Sequence, residues 1–197
     1  DFSELVVVDG RGAEIRGAFG AVPAIIIGNG VTGGYFWIEV RNSTDASITA
    51  GNQGIRLKPM NMSKLWLYVR GFNDGVYFDG AAVTSEWIDN EFNVISLYNN
   101  GSHVHFDLAQ SSYAVNNQFI GGSYYLGTSQ KADARGTFKL TLGGNAQVGQ
   151  NVVINAEIGI DGGSAHANHG SLVYATLNTT SNNTTLFFQN TRMESYG

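Results

Sequence analysis

Short runs of alternating apolar and polar residues recur in pairs along this chain, and that pairing restricts its fold more than any other feature. A first run reads Ala24-Ile25-Ile26-Ile27, Gly54-Ile55-Arg56-Leu57 and Gly75-Val76-Tyr77-Phe78. It returns as His103-Val104-His105-Phe106, Thr137-Phe138-Lys139-Leu140 and Ser171-Leu172-Val173-Tyr174. About twelve residues after each start comes a second run, beginning near Phe36, Trp66, Trp87, Asn117, Val152 and Leu186. Starts of the first run lie about 30, 21, 28, 34 and 34 residues apart, so extra length enters at the turns. Alternation with a period of two is the mark of a strand with one buried face. A unit of this size cannot bury its apolar face alone, whereas parallel stacking of such units buries a continuous core. The pattern predicts an all-β fold, a right-handed single-stranded parallel β-helix of about six to seven rungs. Residues 1–22 would form an entry or capping rung and residues 23–197 the stacked rungs of a single domain. An antiparallel sandwich also uses short strands and Gly-rich turns, but it does not require matched pairs of runs.

Composition agrees with this reading. Among 197 residues, charged side chains make up 14%, well below the roughly 25% of a typical globular protein. Glycine contributes 26 residues and proline 2, and asparagine is frequent. Asn tolerates left-handed backbone at turns and stacks in hydrogen-bonded ladders. The net charge of −5 argues against a nucleic-acid surface or an anionic-membrane binder. With no cysteine, disulfides, thiolate metal sites and cysteine nucleophiles are excluded. No apolar run reaches the length of a membrane helix, so no membrane insertion is expected. The start, Asp1-Phe2-Ser3, carries neither an initiator Met nor a signal-peptide pattern, and the chain is expected to be a piece of a longer protein.

Together with the paired runs, the segments Asp9-Gly10-Arg11-Gly12-Ala13 and Phe188-Gln189-Asn190-Thr191-Arg192-Met193-Glu194 carry a resemblance. They resemble the pectate-lyase-like β-helix superfamily, and within it the tailspikes and appendages of bacteriophages. The resemblance implies a homotrimer on a virion tail or other extracellular surface, a cell-surface glycan as ligand, and glycan cleavage as an added activity. The Asp cluster of the pectate-lyase calcium site is not found here.

Strand alternation sorts the faces. With Phe36, Ile38, Val40, Leu65, Leu67, Val69 and Ile88 inward, Trp37, Trp66 and Trp87 point outward. Matching Ile38, Leu67 and Ile88 places the three Trp in one column, a platform for the apolar faces of sugar rings. Glu39, Tyr68 and Asp89 would form the next column, and Arg41, Arg70 and Glu91 the one after. Tyr68, Arg41 and Arg70 thus join the three Trp as ligand-binding candidates, the arginines suiting anionic sugars or phosphates. Glycoside hydrolysis uses two carboxyl groups, and Asp89, Glu91 and Glu39 are the candidates. His103, His105 and Asp107 alternate with apolar residues, and His166 and His169 lie in a Gly-rich loop. A solvated polar face accounts for the first three better than a metal site does. The stretch Tyr113–Gly136 reads as loop, with three tyrosines, fit for a lid, a lateral binding site or a subunit contact. No metal or cofactor is expected. Three functions remain: a polysaccharide-binding attachment module, a polysaccharide depolymerase, and a passive shaft or adhesin.

Overall fold

A computed structural model describes residues 7–9, 11–28, 30–43, 51–81, 84–98, 100–125, 136–161, 172–177 and 184–196. Among these there is no helix, and every strand pairing is parallel. Six strands form one sheet: Ile25–Ile27, Gln53–Leu57, Asp74–Gly80, Ser102–Leu108, Gly136–Leu142 and Val173–Leu177. Their spatial order is their chain order. The register Ile25↔Ile55↔Val76↔Val104↔Phe138↔Val173 steps by 30, 21, 28, 34 and 35 residues. The first runs of the sequence pattern are therefore neighbours, one circuit of chain apart.

A second, fifteen-stranded sheet holds the rest of each circuit. Its long strands include Tyr35–Asn42, Lys64–Arg70 and Glu91–Tyr98. Their register continues through Phe36↔Leu65↔Phe92↔Phe119↔Val153↔Phe188. Short strands precede them, with Val31↔Met60↔Trp87↔Ala114↔Val148 in register. In Gln147–Ile154 the short and long segments fuse into one strand, which joins the two columns into a single curled sheet. Tyr113–Gly136, expected as loop, contributes Tyr113–Val115, Gln118–Ile120 and Ser123–Tyr125 to this sheet; residues 126–135 lie outside the described ones. The expected second run at Trp87 is corrected in the same way. Trp87 belongs to the short strand Glu86–Ile88, and the long strand starts at Glu91. The long strand steps by 27 residues here, Leu65 to Phe92, where the first strand steps by 21.

Inward positions repeat the pattern read from the sequence. Val40, Val69, Leu97, Tyr124 and Ile158 share one interior column, and Leu57, Phe78, Phe106 and Leu140 another. Phe78 stacks on Phe106 at 4.3 Å between ring centres, and Phe92 on Phe119 at 4.9 Å. Full burial of each such side chain contributes about 1.5–3 kcal/mol.

The turn before each long strand has a fixed form. Gly33, Met62, Asp89, Asn116 and Gln150 all have positive φ, between 49° and 70°. The next residue, Gly34, Ser63, Asn90, Asn117 or Asn151, is buried. From Asn90 to Asn151 these residues make a ladder. Asn90 Nδ2 donates to Asn117 Oδ1 at 2.9 Å, and Asn117 Nδ2 donates to Asn151 Oδ1 at 2.9 Å. The same nitrogens reach the carbonyls of Met60 and Trp87, and Asn151 Nδ2 reaches that of Ala114. Buried backbone groups at the corner are thereby satisfied. Asn117→Ala removes these bonds and strands buried partners, so it is expected to cost about 2–4 kcal/mol. Asn116→Gly, at the exposed left-handed position, is expected to stay within about 0.5 kcal/mol. Urea unfolding of both variants checks the contrast.

A second polar corner holds Asn52, Asn73 and Asn100. Phe72 N donates to Asn100 Oδ1 at 2.9 Å, and Asn100 Nδ2 donates to Val69 O at 3.1 Å. His103 is buried beside it, 3.4 Å from Asn100 Nδ2, with the Tyr124 ring edge-on. This corrects the expected solvated position of His103. Its Nε2 is buried without a partner, and burial pushes the imidazole down to about 3 from the usual 6.5. The unfolded chain then binds the proton in preference to the folded one. The stability of the neutral form is whole above pH 6.5 and falls on acidification by up to about 1.4 kcal/mol per pH unit. His103→Phe is expected to flatten the stability curve between pH 6.5 and 4.5, as read by unfolding at each pH.

Candidate outer-face binding site

Outward residues of the long strands form one continuous surface. Tyr35, Lys64, Glu91 and Gln118 share its first column. Trp37, Trp66, Asn93 and Ile120 share the second. Glu39, Tyr68, Ser96, Ser123, Glu157 and Arg192 share the third. Arg16, Arg41, Arg70, Tyr98 and Tyr125 share the fourth.

Two aromatic stacks stand on this face. Trp37 and Trp66 lie 5.9 Å apart with planes 12° from parallel. Trp37 Nε1 donates to Glu39 Oε1 at 3.1 Å, which fixes that indole, and the Arg11 guanidinium lies 6.0 Å from its ring. Tyr98 and Tyr125 stack at 5.9 Å and 9°, and the Arg70 guanidinium sits 4.8 Å from the Tyr98 ring. Cation–π contacts of this kind hold both the ring and the guanidinium in place. Past the third column's Ser123, an open depression of about 550 Å³ is lined by Gly122, Ser123, Asn155, Ala156, Glu157, Asn190 and Arg192.

Trp87 does not join the column. It is 0% exposed, packs edge-on to Phe78, and donates Nε1 to Lys58 O at 2.8 Å. The residue in register with Trp66 is Asn93. Ile88 likewise does not match Leu67, whose partner is Val94.

The three candidate carboxylates occupy three different register positions. Glu39 is in the third column, opposite Tyr68. Glu91 is in the first, ion-paired with Lys64 at 2.9 Å and accepting from Asn93 Nδ2 at 2.8 Å. Those two partners, Asn93 first, hold its carboxyl below the usual range. Asp89 is not on a strand at all. It fills the left-handed turn slot, at φ 58°, and accepts from Asn116.

His105 and Asp107 also differ from expectation: His105 is buried, and Asp107 accepts from the Tyr77 hydroxyl. Among the described residues, no three His, Asp or Glu side chains are grouped to hold a metal ion. His166 and His169 lie outside the described residues.

Sequence reasoning passed over Tyr98, and took Tyr125 only as part of a loop that could bind laterally. A bulge between Val94 and Ser96 reverses the in-out parity, leaving Ile95 41% exposed and turning Tyr98 outward. Opposite it, Gly122 lies against Val94 O with φ at 71°, a place where a Cβ would overlap the carbonyl. A glycine pair ahead of a Tyr pair, Gly121-Gly122-Ser123-Tyr124-Tyr125, is the one sequence signal of that break.

Comparison with protein-family models, with curated proteins and with solved structures returns no match.

The two tryptophan environments predict effects of different size on stability. Trp87→Ala is expected to cost about 3–5 kcal/mol, the usual result for a buried large aromatic. Trp66→Ala, on the half-exposed face, is expected to cost less than about 1.5 kcal/mol. Chemical unfolding of both variants distinguishes them.

Proposed function

We propose that the stacked circuits form a right-handed parallel β-helix and that the outer face of its long strands binds a cell-surface polysaccharide. Parallel strands joined within one sheet are right-handed in about 98% of cases. In-register pairing on every circuit is what a β-helix requires. The observation that carries the functional reading is the pair of aromatic stacks, Trp37–Trp66 and Tyr98–Tyr125, on one face with Arg41 and Arg70.

Flat aromatic faces accept the C–H faces of sugar rings, while Glu39, Tyr68 and the arginines offer hydrogen bonds at the rim. Levels about 4.8 Å apart repeat these contacts along the stack, which suits a linear polymer. Arg41 and Arg70, in register on successive levels, give this face a basic row that suits an acidic group on the sugar. Binding fits these residues better than cleavage. A general acid at neutral pH uses a raised carboxyl pKa, whereas Glu91 is shifted the other way. Attachment to a virion tail and a homotrimeric assembly are part of the same proposal, and they rest on the resemblance to phage appendages.

The test is titration of purified bacterial surface polysaccharides into the protein, following heat. The double variant Trp37→Ala/Trp66→Ala is expected to weaken binding at least about tenfold, the effect of removing central aromatic contacts. Unaltered affinity in that variant, or no binding by the parent protein across an acidic and neutral glycan panel, would sink the reading.

A further inference from the structure

On the outer side of the six-stranded sheet, three side chains from three successive strands line up. Asp74 Oδ1 is 3.0 Å from His105 Nδ1, and His105 Nε2 is 3.0 Å from Thr141 Oγ1. The Asp74 and His105 side chains are only 5% and 6% exposed. Asp74 Oδ2 accepts from Asn73 Nδ2 at 3.2 Å, and the Tyr77 ring meets the imidazole edge-on at 5.1 Å. The other acids nearby have their own partners: Asp79 takes Arg56 and Lys58, and Asp107 takes Tyr77.

Chemistry fixes the direction of the first bond, and the charge state of the ring that of the second. An ionised carboxylate only accepts, so His105 Nδ1–H donates to Asp74. The neutral ring then carries its lone pair on Nε2, which accepts the Thr141 hydroxyl proton. A hydroxyl held by a base that is itself oriented by a third group is the arrangement of an activated nucleophile.

We propose that Asp74, His105 and Thr141 form an acyl-transfer site that hydrolyses esters of short acyl groups. Thr141 Oγ1 bonds to the ester carbonyl carbon while its proton passes to His105 Nε2. The carbon–alkoxide bond then breaks, and the leaving alcohol takes that proton, leaving Thr141 acylated. Water attacks the acyl carbon, gives a proton to Nε2, and releases a carboxylic acid as Thr141 Oγ1 recovers the proton. Ester and water thus become alcohol and acid, with no other reactant. Lys139 lies two residues before Thr141 on the same strand face, in register with His105, and supplies the cation beside the developing oxyanion. This assignment is independent of glycan binding by the other sheet.

The experiment uses p-nitrophenyl acetate hydrolysis and labelling by a fluorophosphonate, with mass spectrometry locating the adduct. The protein is expected to hydrolyse the ester above the buffer rate and to carry the label on Thr141. Thr141→Val and His105→Gln should each lower the rate on the order of 100-fold or more, the scale of a lost nucleophile or general base. Thr141→Ser keeps the hydroxyl and the hydrogen bond, and should retain both hydrolysis and labelling. A parent protein no faster than Thr141→Val overturns the proposal, as does an adduct elsewhere. If Thr141→Val melts early, an unlabelled but folded Thr141→Ser overturns it equally.

Discussion

Each strand of this protein finds its hydrogen-bonding partners one circuit away, 21 to 36 residues back or forward in sequence. Parallel pairing at that separation forces side chains at equivalent positions into columns directly above one another. Apolar columns make the interior, polar columns the faces, and neither can shift without the other, because a slip of one residue exchanges inside for outside. The asparagine ladder enforces the register at the corner. Its side chains span from one level to the next and also hold carbonyls that the turning backbone would otherwise bury unpaired.

Columns also explain how a chain with few charges builds two chemically distinct faces. Register sets like residues in rows on one face: Trp on Trp, Tyr on Tyr, Arg on Arg on Arg. On the six-stranded sheet the outward rows bring Asp74, His105 and Thr141 together from positions 67 residues apart at the extremes. Ile15 and Met193 occupy an interior column yet are 49% and 46% exposed, since each lies on an end level of the described stack. Among the described residues, the apolar interior is covered along its length by strands, and its exposed members Ile15 and Met193 lie on the end levels.

The paired runs made the stacking legible. Ile25, Ile55, Val76, Val104 and Phe138 fall in register as the repeat spacing required, and Phe36, Ile38, Val40, Leu65, Leu67 and Val69 face inward as alternation required. The Trp37–Trp66 stack followed from the same two rules. The reading failed where the third long strand begins. An assumed constant spacing placed Trp87, Asp89 and Glu91 on one strand. Instead a short strand, a left-handed turn and a long strand divide the three among interior, turn and face. Asp89 belongs with Met62, Asn116 and Gln150 as a turn residue, and its side chain gave no sign of that, since a carboxylate suits either place.

By itself the sequence determined that the chain is all-β, that its strands come in matched sets, and which residues in each set are apolar enough to turn inward. Those are local properties, carried by hydrophobic period and turn-forming residues. Which circuit positions pair, and therefore which outward side chains meet, was decided only by the tertiary structure. A bulge at Ile95 and a 27-residue step each reset the alignment through backbone geometry. Asp74, His105 and Thr141 are joined by side-chain contacts between levels. None of these leaves a periodic trace in a single chain.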